Sequence, residues 1–161
     1  MPKIEIETKI NASREVCFNL ASSIDFHQVT SVKTKEKAIA GKTSGFIKLN
    51  DEVNWEAVHF CVKQKLCSRI TEYSFPNHFR DVQVFGAFKA FKHDHYFKQM
   101  DGYVIMTDVF DFESPLGIIG KLFNHLVLTK YMTSFLTERN QMIKKYAESE
   151  MWRNFFLFFK F

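Results

Sequence analysis

The chain is short of cysteine, proline and glycine, with 3, 3 and 6 of them in 161 residues. Cys17, Cys61 and Cys67 contain no CxxC pair and cannot close a disulfide framework, so reduced, buried thiols are expected. The chain has no internal repeat, linker or low-complexity tract before its last residues, which excludes fibrous and disordered classes. No apolar stretch reaches the ~20 residues that span a bilayer. Met1-Pro2-Lys3-Ile4-Glu5 carries no apolar signal core. The reading is therefore a cytoplasmic protein without stable membrane insertion. Net charge is only +4, and bases alternate with acids, as in Lys33-Thr34-Lys35-Glu36-Lys37. The basic stripe of a nucleic-acid binder is missing, so no nucleic-acid partner is expected. A P-loop, a dinucleotide fingerprint, HExxH and a nucleophile elbow are all absent, and no cofactor is expected.

What the chain has is phenylalanine, 19 of 161 residues, within an apolar fraction of 46%. Such a composition supplies a real core, the walls of an apolar pocket, or both. Lys3 to Ile10 alternates as a strand with one wet face. Ser13 is a good N-cap for a helix carrying Val16, Leu20 and Ile24, and Asp25 to Ser31 reads as a second short helix or a loop. Lys33 to Ile39, Asp51 to Gln64, Leu66 to Tyr73, Phe79 to Phe85, Phe88 to Lys98 and Tyr103 to Phe112 read as strands. Asp101-Gly102 marks a hairpin turn. After Pro115-Leu116-Gly117 the pattern turns helical, from Ile118 to about Glu148. Its stripe is Leu128, Met132, Phe135, Arg139, Met142 and Tyr146. Runs of strands flanked by helices predict an α+β fold. We expect one domain over residues 1–150 and an aromatic tail over 151–161, in which five of the last seven residues are phenylalanine. That tail is expected to dock on the core or on a second copy of the chain, a possible homodimer.

The most telling segment is Gly86 to Phe97, GAFKAFKHDHYF. Alternation puts Phe91, His93, His95 and Phe97 on one strand face and Phe88, Ala90, Lys92, Asp94 and Tyr96 on the other. Two imidazoles among aromatics suit a partly polar interior such as a ligand cavity. His93 and His95 lie ~6.5–7 Å apart along such a strand, a spacing that metal ligands can have, with Asp108 or His59 as a third. The preferred reading is hydrogen-bonded cavity residues and no metal. Arg69, Asp81, Asp108 and Arg139 are charges within apolar patterns; facing inward, each needs a partner. Arg139 or a histidine could anchor a carboxylate, phenol or phosphate.

Ile10-Asn11-Ala12-Ser13-Arg14-Glu15-Val16-Cys17-Phe18 resembles the opening of the START/Bet v 1-like (SRPBCC) superfamily. Arg69 to Tyr73, Phe79-Arg80-Asp81, Gly86 to Phe97, Met106-Thr107-Asp108 and Pro115-Leu116-Gly117 resemble a bacterial, cell-division-inhibitor-like branch of it. Relatives often carry Trp where Phe91 stands. The resemblance implies a helix-grip fold: a curved antiparallel β-sheet wrapped around a long C-terminal helix, with a deep cavity between. It also implies a hydrophobic or amphipathic small-molecule ligand, lipid- or polyketide-like. The expected ligand-binding residues are Trp55, His59, Arg69, Phe85, Phe91, His93, His95, Asp108, Phe110, Phe135 and Arg139. Some relatives are cyclases, dehydratases or hydrolases; in a cavity enzyme of that kind His93, His95 or Asp108 would be the acid–base groups. Binding without catalysis is the preferred reading.

Overall fold

A computed structural model describes residues 2–113 and 127–159. Its elements follow in chain order as β1 (Lys3–Ile10), α1 (Arg14–Ser22), α2 (Ile24–Thr30), β2 (Lys37–Gly41), β3 (Glu52–His59), β4 (Val62–Ser74), β5 (His78–Phe85), β6 (Ala90–Gln99), β7 (Val104–Glu113), α3 (Thr129–Ala147) and α4 (Met151–Phe158). The strands form one antiparallel sheet in the order β1-β7-β6-β5-β4-β3-β2. Every connection from β2 to β7 is a hairpin step; among the described strands only β1 crosses over, to pair with β7. This is the expected α+β class.

Capping chemistry starts both short helices where the sequence places hydroxyls. Ser13 Oγ accepts from the Val16 amide at 3.3 Å, and Ser23 Oγ accepts from the Phe26 amide at 3.1 Å. The second segment is thus a helix rather than a loop. The strand predicted over Asp51 to Gln64 is two strands. A two-residue turn at Phe60 and Cys61, both at positive φ (50° and 61°), joins His59 to its partner Val62. That corrects the expectation for Cys61, which is exposed, whereas Cys17 and Cys67 are buried. Residues 32–35 turn instead of extending, and β2 begins at Lys37. Phe88 lies ahead of β6, so strand alternation does not set its direction; it packs on Phe91, Phe110 and Phe112.

The buried stripe of α3 is Met132, Leu136, Asn140, Ile143 and Ala147. The predicted stripe holds at Leu128 and Met132, which are buried, and runs one residue off this line beyond them, so Phe135, Arg139 and Tyr146 flank the packed edge instead of forming it. At ~1.5 Å per residue the 19-residue helix is about 28 Å long. The expected helix start at Ile118 and the Pro115-Leu116-Gly117 motif lie outside the described residues.

Among the described residues the interior divides into two apolar clusters along the strands. One holds Ile10, Phe18, Phe26, Ile70, Phe79, Phe97, Met106, Ile143 and Phe155. The other holds Ile4, Phe91, Phe110, Phe112, Leu128, Met132 and Leu136. The tail helix α4 belongs to the first: Phe155 packs edge-on against Phe26, and Phe156 against Phe46. Leu157 and Phe158 of the same helix are 75% and 80% exposed.

Candidate functional site

Each long element changes character at the same level. On β6, Phe91 belongs to one cluster and Phe97 to the other, with His93 and His95 between. On β7, Asp108 separates Met106 from Phe110. On α3, Asn140 separates Leu136 from Ile143. On β5, Asp81 follows Phe79 at the same inward period. A polar belt therefore crosses the fold between two oily halves. The register makes it continuous, with His95 opposite Asp108, and Asp81 opposite His93.

The belt is hydrogen-bonded. Asp108 Oδ1 lies 3.0 Å from His93 Nε2 and 2.7 Å from His95 Nδ1. Asp108 Oδ2 accepts from Asn140 Nδ2 at 2.6 Å. Burial alone would raise the Asp108 carboxyl; His95 and His93 outweigh it and hold it far below the usual carboxylate range. Burial lowers His93, and the neighbouring His95 adds to that. Burial works against a charged His95 as well, yet Asp108 and Asp81 together raise its pKa. Two adjacent rings on one strand face are thus driven in opposite directions.

Above the belt, on the Phe91 side, lies a cavity of about 350 Å³. Trp55, Phe60, Phe88, Phe91, Phe110, Tyr131, Met132, Phe135 and Leu136 supply its apolar walls. His27, Glu36, His59, Asp81, His93 and Arg139 supply polar groups. A second space of about 70 Å³ shares His27, Trp55, Ser68, Asp81 and Arg139 with it, and is also lined by His95. Arg139 Nη2 donates to the Ala21 carbonyl at 3.1 Å, which ties the guanidinium to the end of α1. His59 Nδ1 lies 2.8 Å from the Tyr131 hydroxyl. Glu36 is buried against His27 and receives the Thr34 hydroxyl at 3.3 Å. Burial would raise the Glu36 carboxyl, but His27, Arg139 and His59 outweigh it and hold it at about 2.

Of the residues expected at a binding site, Trp55, His59, Phe91, His93, Phe110, Phe135 and Arg139 line the larger cavity. His95 reaches the smaller one, and Asp108 stands behind the two histidines. Two lie elsewhere. Arg69 alternates with the inward Ser68 and Ile70, so it projects outward; its side chain is half exposed and its Nε donates to Glu52 Oε1 at 2.8 Å. Phe85 is 51% exposed, because the register slips between Gln83 and Phe85 and resets which face it takes. Neither lines the cavity. Sequence reasoning missed His27, Glu36, Tyr131 and Asn140. It noted Asp81 as an embedded charge without placing it at the site.

No protein-family model matches the chain, and no curated protein is similar to it in sequence. Solved structures do resemble it. The protein TTHA0849 from Thermus thermophilus superposes with a TM-score of 0.70 at 18% identity, over 88% of this chain and 97% of that one. Ginseng major latex-like protein 151 from Panax ginseng gives 0.67 at 16% identity, over 92% and 98%. A START superfamily protein from Mycobacterium smegmatis gives 0.70 at 11% identity, over 91% and 97%. With seven antiparallel strands and a long C-terminal helix against them, the chain has the START/Bet v 1-like (SRPBCC) fold in its helix-grip form.

Proposed function

We propose that the larger cavity binds a hydrophobic or amphipathic small molecule of lipid or polyketide type. The observation that carries this reading is a hollow of about 350 Å³ whose aromatic walls end on a polar belt. A hole of that size in a core is costly unless something fills it. Volumes of this order and linings of this kind, apolar with a few convergent polar groups, are those of small-molecule sites. A guest burying ~300 Å² of apolar area would gain ~7 kcal/mol before ordering costs. Arg139, His59 and His93 would orient its polar end, and Arg139 favours an anionic one. The reading takes residues 1–150 as the binding domain and 151–161 as a tail that closes its solid end. It places the protein in the cytoplasm, where free thiols such as Cys17, Cys61 and Cys67 persist. Among the described residues no helix is long and apolar enough to cross a membrane.

The test uses 8-anilinonaphthalene-1-sulfonate, an apolar probe with one anionic group, and reads the fluorescence of the bound probe. Saturable binding is expected at one site. Ala57→Trp, which puts an indole into the cavity, should abolish it while the far-ultraviolet spectrum stays unchanged. Arg139→Gln should weaken it. Undiminished binding to a well-folded Ala57→Trp variant would overturn the proposal.

A further inference from the structure

We propose that Asp81, His93 and His95 bind a divalent transition-metal ion, of the zinc or ferrous class, in the polar belt at the base of the cavity. Asp81 and His93 are directly opposed on β5 and β6, and His95 is two residues along the same face. Asp81 Oδ1 lies 3.9 Å from His93 Nδ1 and 3.5 Å from His95 Nε2. One donor atom from each residue falls within 4.8 Å of the other two. Those separations exceed the roughly 2.7–3.2 Å of a hydrogen bond. They approach the ~3.3 Å that separates ligands held ~2.0–2.1 Å from a tetrahedral ion. Each residue turns one donor atom toward the other two, within the span that a single ion can bridge.

The far side of the histidines supports the same conclusion. Asp108 Oδ1 faces His93 Nε2 and His95 Nδ1, the nitrogens turned away from Asp81. Asn140 in turn holds the other Asp108 oxygen. A carboxylate behind a ligating imidazole fixes the tautomer and aims the remaining lone pair at the ion. Here one carboxylate does so for both rings. Two imidazole nitrogens and one carboxylate select a transition metal over calcium or magnesium, which take oxygen ligands. Three protein ligands leave positions open, and Asp81, His93 and His95 line the two cavities, which give the ion its path in. A second grouping, Glu72, His78 and Asp94 on the outer face, does not compare. There the Arg80 guanidinium already contacts both carboxylates.

The proposal does not depend on a guest in the cavity, and its test uses the metal alone. Full-length protein stripped with chelator is titrated with Zn²⁺ by calorimetry and with Co²⁺ by visible absorption. One ion per chain is expected, with a Co²⁺ spectrum of mixed nitrogen and oxygen ligation and a rise in Tm. Asp81→Asn and His95→Gln, which keep side-chain shape, should each lower affinity ~100-fold or more, and Asp108→Asn by ~10–100-fold. His78→Gln on the outer face should leave binding unchanged. The wild-type Co²⁺ spectrum decides the ligand type even if a variant fails to fold. Absence of saturable binding of either ion overturns the proposal. So does binding that survives both Asp81→Asn and His95→Gln, or that is lost in His78→Gln.

Discussion

The two ends of the grip are built from the same sheet face and the same helix, yet one is solid and the other hollow. At the solid end Phe18 contacts Tyr73, Phe75, Phe79 and Phe97 with ring centroids 5.2–5.4 Å apart. Helices α1, α2 and α4 all contribute to that cluster. At the other end Phe91, Phe110 and Phe112 are equally well buried from water, but their neighbours leave about 350 Å³ between them. Aromatic content does not decide which end fills, since both are rich in phenylalanine. Among the described residues, what differs is how many helices cover each: three plus the end of α3 on one side, and the first turns of α3 on the other. The belt of Asp81, His93, His95, Asp108 and Asn140 marks where one regime gives way to the other.

The sharpest way to break this contrast is to truncate one aromatic at each end. Phe18→Ala removes a ring with no exposed surface and should cost ~4 kcal/mol, because the void it leaves is closed on all sides. Phe91→Ala removes a ring that already borders empty space, forfeits fewer contacts, and should cost ~2 kcal/mol. Equilibrium unfolding in urea measures both, and equal losses would erase the distinction between the ends.

Next in size is a charge effect at the hollow end, where ionic partners supply part of what packing supplies elsewhere. Glu36 is held at about 2 in the fold against an ordinary 4.5. The folded state therefore prefers the ionised carboxyl. The stability this contributes is present above pH 4.5 and is lost as pH falls through 2. The difference is on the order of 3 kcal/mol. His27 and His59, lowered mainly by burial, act in the same direction at higher pH: the unfolded chain takes up protons below about 6.5 that the folded rings refuse. Glu36→Gln should reduce stability at pH 7 and flatten the acid limb between 4.5 and 2, as read from urea unfolding across pH. An unchanged acid limb would mean that Glu36 is not tied to His27 as described.

Much of this arrangement was legible in the sequence, and the exceptions have physical reasons. Period-two alternation alone placed Phe91, His93, His95 and Phe97 together, and the same rule would have turned Arg69 outward beside Ser68 and Ile70. Phe85 could not be placed that way, because the bulge next to it resets the parity of the strand. The Phe60-Cys61 turn was hidden because positive φ at both positions normally announces itself as Asn-Gly, and neither residue is of that kind. Glu36 lay inside a run of lysines that reads as a solvated edge; only the tertiary fold brings it to His27 from α2. Asn140 gave no signal because an amide on a helix face is ordinary until the carboxylate opposite it is known. Local periodicity thus finds walls, whereas the polar partners that meet across the interior depend on contacts distant in sequence.

The belt itself offers a smaller effect. Asn140→Ala takes the donor from a buried carboxylate and should cost ~2 kcal/mol, since a hydrogen bond to a charged group is lost inside the protein. One turn along α3, Ile143→Val trims the solid cluster by one methyl group and should cost ~1 kcal/mol. Urea unfolding of the two variants ranks the belt against the packing beside it, and a reversed order would count against the belt as a structural divider.

The smallest expected effect, that of Ala57→Leu, gives the most direct reading of hollow against solid, because it differs in sign from that of its counterpart in the packed cluster. Ala57 and Ala147 are both buried, at 7% and 6% exposure. Ala57 lines the larger cavity; Ala147 belongs to the packed cluster. Ala147→Leu forces three carbons into filled space and should destabilise by ~1–3 kcal/mol. Ala57→Leu places the same carbons into the void, where they gain contacts without displacing a neighbour, and should be neutral or stabilising by up to ~1 kcal/mol. Thermal unfolding of both variants, with the anilinonaphthalene probe absent and then present, separates the two terms. Ala57→Leu should raise Tm without probe and lessen the further rise that the probe produces, because side chain and guest compete for one space. If both substitutions destabilise alike, the cavity collapses in solution and the two ends of the grip are equally solid.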